Sequence, residues 1–196
     1  MKLKIAKFIR VLTVVPIIAS VLMLINYFAY PTYMSGKLSN FANLAIAIAC
    51  LSLLPLLAYP IHFAVPALRK RGRPLQRNMA IGFAVVGYII GMLTAVCTGV
   101  CNALSVLYCT YLISGILVAV VNKLFSYHAS CHAAGVCGPV AYALYAFGWY
   151  GLFGLAIIIA VFWASIIMKR HTLSQLIAGS LLSLIALTVS VLIFPF

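Results

Sequence analysis

The chain is 196 residues long, 66% hydrophobic, and carries thirteen lysines and arginines against no aspartate or glutamate, a formal net charge of +13. So apolar a chain leaves no room for a soluble domain beside its membrane spans. The missing carboxylates exclude oxygen cages for Mg²⁺ or Ca²⁺, acidic general bases, metal-dependent lipid transferases and phosphatases, and carboxylate-driven proton transporters.

A membrane-crossing helix takes about 20 mostly apolar residues. Runs of that kind fall at about residues 11–30, 42–65, 79–99, 103–122, 132–149, 151–168 and 173–194. They predict an all-α fold: one polytopic transmembrane helical bundle of about six to seven spans over residues 1–196. The fifth and sixth runs are short and meet at Gly148-Trp149-Tyr150-Gly151, which is why the count is six or seven. Lys2, Lys4, Lys7 and Arg10 ahead of the first run look like the start of a signal peptide. That run is longer than a 7–15-residue signal core and no small-x-small cleavage site follows, so an uncleaved first helix is expected.

Charge sets the expected topology. With seven spans, one side carries Lys2, Lys4, Lys7, Arg10, Arg69, Lys70, Arg71, Arg73, Arg77, Lys123, Lys169 and Arg170, and the other only Lys37. The positive-inside rule then puts the amino terminus and the basic face in the cytoplasm, in the plasma membrane. Lys2, Lys4, Lys7 and Arg10 are read as topology signals that owe nothing to catalysis. Cys50, Cys97, Cys101, Cys109, Cys131 and Cys137 include no CxxC pair and lie in or beside apolar runs, as small hydrophobes do, so zinc is not implied.

Three polar clusters interrupt the apolar pattern: Arg69 to Asn78, Ser126 to Gly135, and Lys169 to Gln175. Each neighbouring pair is separated by a two-helix hairpin, and an even number of crossings returns the chain to the same face, so all three can converge. Each also has a plain reading. The Arg69–Arg77 loop serves as a positive-inside anchor attracting anionic headgroups, and a single interfacial histidine is commonly structural. His132 and His171 are both expected at the heads of helices, where backbone N–H groups favour an anion.

The spacing within the clusters adds to this. Lys70 with Arg77, then Ala129-Ser130-Cys131-His132, then Ser165 with His171 and Gln175, resembles the three signature motifs of the type-2 phosphatidic-acid phosphatase superfamily. Those motifs read Lys-x6-Arg-Pro, Pro-Ser-Gly-His and Ser-Arg-x5-His-x3-Asp. The stretches Ser130–Pro139 and Lys169–Gly179 look most like a bacterial and archaeal subgroup, and the resemblance covers about residues 65–185. Five departures are visible. Asn78 stands where proline is usual, and Ala129 and Cys131 replace proline and glycine. Ser165 occupies the place of the third-motif arginine, and Gln175 that of the aspartate.

The resemblance implies metal-independent hydrolysis of a lipid phosphate, of the phosphatidate or polyprenyl phosphate type, with no cofactor, metal or nucleic-acid partner. His171 is the implied nucleophile, His132 the general acid and base, and Gln175 the residue that orients His171. Lys70, Arg77, Ser130 and Arg170 are the implied phosphate ligands, with Arg170 or Lys169 replacing the missing arginine's charge. His128 is either a partner of His132 or an interfacial residue. Two alternatives stay open. One is a phospholipid-binding protein that keeps the fold without turnover, and the other a small transporter with a cationic vestibule.

Overall fold

The structure is a computed structural model that describes residues 1–196 apart from Ser126. That serine, part of the second polar cluster, lies outside the described residues. The described residues form helices and no strand. In chain order they are α1 (Lys2–Leu12), α2 (Val15–Ala29), α3 (Asn40–Ile48) and α4 (Leu54–Ala64), then α5 (Pro66–Arg69), α6 (Gly72–Thr98) and α7 (Asn102–Leu124), and finally α8 (Cys131–Phe147), α9 (Phe153–Ile167) and α10 (Leu173–Ile193). A π-helical turn at Ala49–Leu53 joins α3 to α4. Among these residues five helical segments are long and apolar enough to cross a membrane, or six if the bent pair α1 and α2 counts as one.

The first expected span is not continuous. α1 and α2 meet at a 53° bend. Pro16 lies in the first turn of α2, where its missing N–H costs nothing but where a helix arriving from α1 would need that donor. α1 therefore turns away and packs along α9. At the other helix with an unexpected start, α6 reaches back seven residues beyond the expected span and takes Arg73 and Arg77 into its first turns.

The segment Cys131–Ile167 is a hairpin. Gly148, with a positive φ of 59°, ends α8, and a 3₁₀ turn over Gly148–Leu152 reverses the chain. Gly151 then lies against the backbone of Ala143 and Leu144, and Gly154 against Val140. Val161 joins Val136 and Val140 in one apolar cluster. This pairing runs antiparallel and brings the end of α9 beside the start of α8. The two arms have 17 and 15 residues, or about 25 and 22 Å at 1.5 Å per residue.

α7 is the centre of the bundle and packs against α6, α8 and α10. Leu104, Val106, Leu107, Tyr108 and Tyr111 on it are almost fully buried. Gly91 of α6 gives room to the Tyr108 ring, since a β-carbon there would collide with it. The ends opposite the histidines carry an aromatic layer: Tyr30 stacks on Phe147 at 4.5 Å and on Tyr33 at 5.4 Å, and Phe196 closes on Tyr33 edge-on. The Tyr33 hydroxyl donates to the Ala146 carbonyl at 3.2 Å, which ties this layer to the end of α8.

Candidate functional site

The two motif histidines are held by the termini of neighbouring helices. Ser130 is the N-cap of α8, its hydroxyl accepting from the Ala133 N–H at 3.2 Å, and this places His132 in the first turn. Thr172 is the N-cap of α10, so His171 lies one residue before the cap rather than on the helix. A capping box fixes that end: the Thr172 hydroxyl accepts from the Gln175 N–H at 3.4 Å, and the Thr172 N–H donates to Gln175 Oε1 at 3.1 Å. Such reciprocal caps satisfy two helix-end donors at once.

That box settles what Gln175 offers to histidine. Because Oε1 is the atom receiving the Thr172 N–H, the same oxygen, 3.2 Å from His171 Nδ1, accepts a hydrogen bond from the ring. Nδ1 is then the donor, and Nε2 carries the lone pair. The expected one-turn pairing along a helix is thus replaced by a contact from outside the helix onto its third residue.

The two histidine segments are fastened directly. The Ser130 N–H donates to the Gln175 carbonyl at 3.0 Å, and Gly179 lets α10 approach the Ser130 carbonyl so closely that a β-carbon would overlap it. Ser130 is fully buried. Its N–H is taken and its hydroxyl oxygen caps α8, so this residue joins the two halves of the site and has only the hydroxyl proton left to donate.

Arg170 and His171 leave α9 through a Schellman-type turn. Lys169 adopts a left-handed φ of 52°, its N–H bonds the Ile166 carbonyl at 2.9 Å, and the Arg170 N–H bonds the Ser165 carbonyl at 3.0 Å. Glycine is the usual occupant of that position. The turn draws Arg170 and His171 back over the end of α9, above Ser165.

Ser165 itself is 1% exposed and accepts from Arg10 Nη1 at 3.3 Å. One turn later, Thr13 stands 3.2 Å from His132 Nε2. The Thr13 hydroxyl proton goes to the Ile9 carbonyl at 2.8 Å, so Thr13 accepts from the His132 ring, whose Nε2 carries the proton. The expectation that the amino-terminal charges stand apart from the site is therefore overturned for Arg10. Lys2, Lys4 and Lys7 are exposed, whereas Ala6, Arg10 and Thr13 follow i, i+4, i+7 spacing, and Ala6 is fully buried against the bundle. That stripe was the one sequence signal available for separating Arg10 from its neighbours.

The histidines share an electrostatic neighbourhood. His132 lies within range of Arg10 and His171, and Arg10 within range of Arg170. Burial pushes the His171 imidazole below its ordinary range. The bond to Gln175 pushes it upward, and the charges of Arg10, Arg77 and His128 push it down again. Arg77, exposed on α6, thereby joins the group, and His128 does so from the loop before α8. Lys70 is exposed at the end of α5 and makes no hydrogen bond to the histidines among the described residues. The described residues hold no group of three His, Cys, Asp or Glu side chains suited to a metal ion.

A separate apolar cleft of about 610 Å³ lies between α2, α8 and α9, lined by Ile18, Leu22, Ile25, Val140 and Ile157 among others. Pro139, also on its wall, is seven residues along α8 from His132, or ~10 Å. Comparison of the chain with protein-family models, with curated proteins and with solved structures gives no match.

Proposed function

We propose that the protein is an integral-membrane lipid phosphate phosphatase that works without a metal, through a phosphohistidine on His171. The observation that carries the reading is the Gln175 bridge. It leaves the Nε2 lone pair of His171 available, in a cluster whose charged neighbours are all cationic. A neutral imidazole among cations is suited to attack a phosphorus whose oxygens those cations hold.

In this reading the phosphate sits between His171 and His132, with Arg77 and Arg170 on its non-bridging oxygens and Lys70 reaching in from the α5 end. His171 Nε2 attacks phosphorus and the P–O bond to the lipid breaks. His132, made an imidazolium by a proton taken up with the anionic substrate, gives its Nε2 proton to the leaving oxygen, exchanging the Thr13 hydroxyl for that acceptor, and is left neutral. The neutral His132 then takes a proton from water, which attacks the phosphohistidine. The P–N bond breaks, freeing inorganic phosphate and restoring both rings. A diphosphate substrate follows the same course with a lipid phosphate as the leaving group.

The lipid tail lies in the cleft between α2, α8 and α9, whose lining is apolar and which begins about two turns below His132. The chain crosses the membrane seven times, counting α2 and both arms of the α8–α9 hairpin, with the amino terminus and the site in the cytoplasm. Reporter fusions at the two termini test that sidedness, and an external amino terminus would overturn it. The alternative is a non-catalytic binder of phospholipid headgroups. It draws on Ser165 and Gln175, which stand where arginine and aspartate are usual in the family resembled.

The test is phosphate release by detergent-purified protein from phosphatidate and polyprenyl phosphates in EDTA, beside His171→Ala. Release that survives EDTA and disappears in the variant supports the enzyme. No release from any lipid by a folded protein supports the binder.

A further inference from the structure

We infer that Arg10, from the amino-terminal helix, is a phosphate-binding guanidinium of this site. The inference rests on the anion-binding part of the reading above, and not on turnover. Arg10 sits on the buried stripe of α1 and is only partly exposed. One of its five N–H donors reaches the buried Ser165 hydroxyl at 3.3 Å. The ionisable groups that act on it are Arg170, His132 and His171, which are cations or become so, and Tyr59, whose phenol is neutral near pH 7.

No carboxylate side chain exists anywhere in the chain. An arginine drawn from water toward other positive groups is costly unless an anion compensates it. No acidic side chain of the chain can supply that anion, and a bound oxyanion can. The chemistry fits a phosphate oxyanion, which accepts the planar fork of a guanidinium on two oxygens.

Position argues the same way. Ser165 is fixed under the Schellman-type turn that carries Arg170 and His171. A guanidinium anchored on Ser165 therefore stands beside the chain segment bearing the implied nucleophile. Thr13, one turn on from Arg10, meets His132. One turn of the amino-terminal helix thus reaches both histidine segments. The bend between α1 and α2 is what allows this, since a straight helix would carry Arg10 away from α9.

The experiment is calorimetric titration of the full-length, detergent-purified protein with inorganic phosphate, then with phosphatidate in mixed micelles. The variants are Arg10→Gln, Arg10→Lys, Ser165→Ala and Lys7→Gln. Arg10→Gln keeps a donor for Ser165 but loses the charge. Its phosphate affinity is expected to fall about 10- to 100-fold, the equivalent of one charge-assisted hydrogen bond. Lys7→Gln, on the exposed face of the same helix, stays within about twofold, as a screened surface charge should. Unchanged affinity in Arg10→Gln, or an equal loss in Lys7→Gln, overturns the assignment.

If Arg10→Gln does not fold, Arg10→Lys decides. A lysine keeps the charge but not the fork, so affinity falls severalfold if the guanidinium grips phosphate and stays put if Arg10 only holds α1 in place. Ser165→Ala separates anchoring from binding, because it frees the guanidinium without removing it and is expected to cost less than Arg10→Gln. Arg10-dependent phosphate binding without turnover of any lipid keeps this site and removes the phosphatase. Turnover and phosphate binding that both ignore Arg10→Gln keep the phosphatase and remove this residue. Tighter binding of the micellar lipid than of free phosphate identifies a headgroup as the ligand.

Discussion

Gln175 Oε1 lies 3.2 Å from His171 Nδ1 and 3.1 Å from the Thr172 N–H, so one oxygen both caps a helix and sets a histidine tautomer. A free amide can turn either face to a ring. This one is held by a backbone donor, and a glutamine can therefore stand in for a carboxylate as far as orientation goes. What it lacks is the charge that would stabilise an imidazolium.

Gln175→Ala removes both the tautomer control and part of the cap. Phosphate release is expected to fall about 10- to 100-fold, the scale seen when a partner orienting an imidazole is lost. Gln175→Glu keeps the geometry and adds the charge. An unchanged rate in the alanine variant, by steady-state assay, counts against a catalytic role for the bridge.

The pH profile of kcat/KM reports the free enzyme. His171 must be neutral to attack, so activity drops as pH falls through its pKa. Burial and the charges of Arg10, Arg77 and His128 hold that pKa below 6.5, against the opposing effect of Gln175. The acid limb is therefore expected below pH 6.5. It moves lower still in Gln175→Ala, which loses the upward push, and higher in Gln175→Glu, which strengthens it. Limbs that move together, or in the reverse order, argue against His171 as the titrating base.

Gly179→Ala places a methyl group against the Ser130 carbonyl. The helix ends bearing His132 and His171 must then separate. A destabilisation of about 1–3 kcal/mol is expected from the overpacking, with activity lost about 100-fold because a shift of about 1 Å misaligns reacting groups. Gly82→Ala is the control, since nothing lies within 4 Å of a β-carbon there. Thermal melting beside phosphate release separates the two effects.

Lys169 holds a left-handed backbone at φ 52°, a conformation that costs about 1 kcal/mol or more for a residue with a β-carbon. Lys169→Gly is expected to raise the melting midpoint by about 2–4 °C, the shift that 1 kcal/mol makes in a chain of this size. A lower midpoint would mean that the lysine side chain contributes more than its backbone costs.

Much of this arrangement was legible in the sequence. Hydropathy placed α2, α7, α8, α9 and α10 to within a few residues, whereas α1 and α5 matched no run and α6 began seven residues early, because their polar first turns carry no apolar signal. Motif spacing singled out His132, His171 and Gln175, and the structure joins their segments through Ser130 and Gly179. The bend after Thr13 escaped notice because the apolar run passes through it unbroken, and only Pro16 marks it. Arg10 was hidden by its company, three lysines whose charge explains topology equally well. For Ser130 the spacing leaves open whether the hydroxyl caps a helix or meets a ligand, and the structure shows the cap.

The most direct measurement is to mix the protein with a lipid phosphate in EDTA, quench within milliseconds, and locate the phosphoryl group by mass spectrometry under alkaline conditions. The account predicts a phosphoryl group on His171, absent in His171→Ala and, in His132→Ala, formed more slowly for want of the acid but long-lived once formed, because the second step lacks its base. A protein that releases phosphate while carrying no phosphohistidine, or that carries it on His128 or His132 instead, would contradict it.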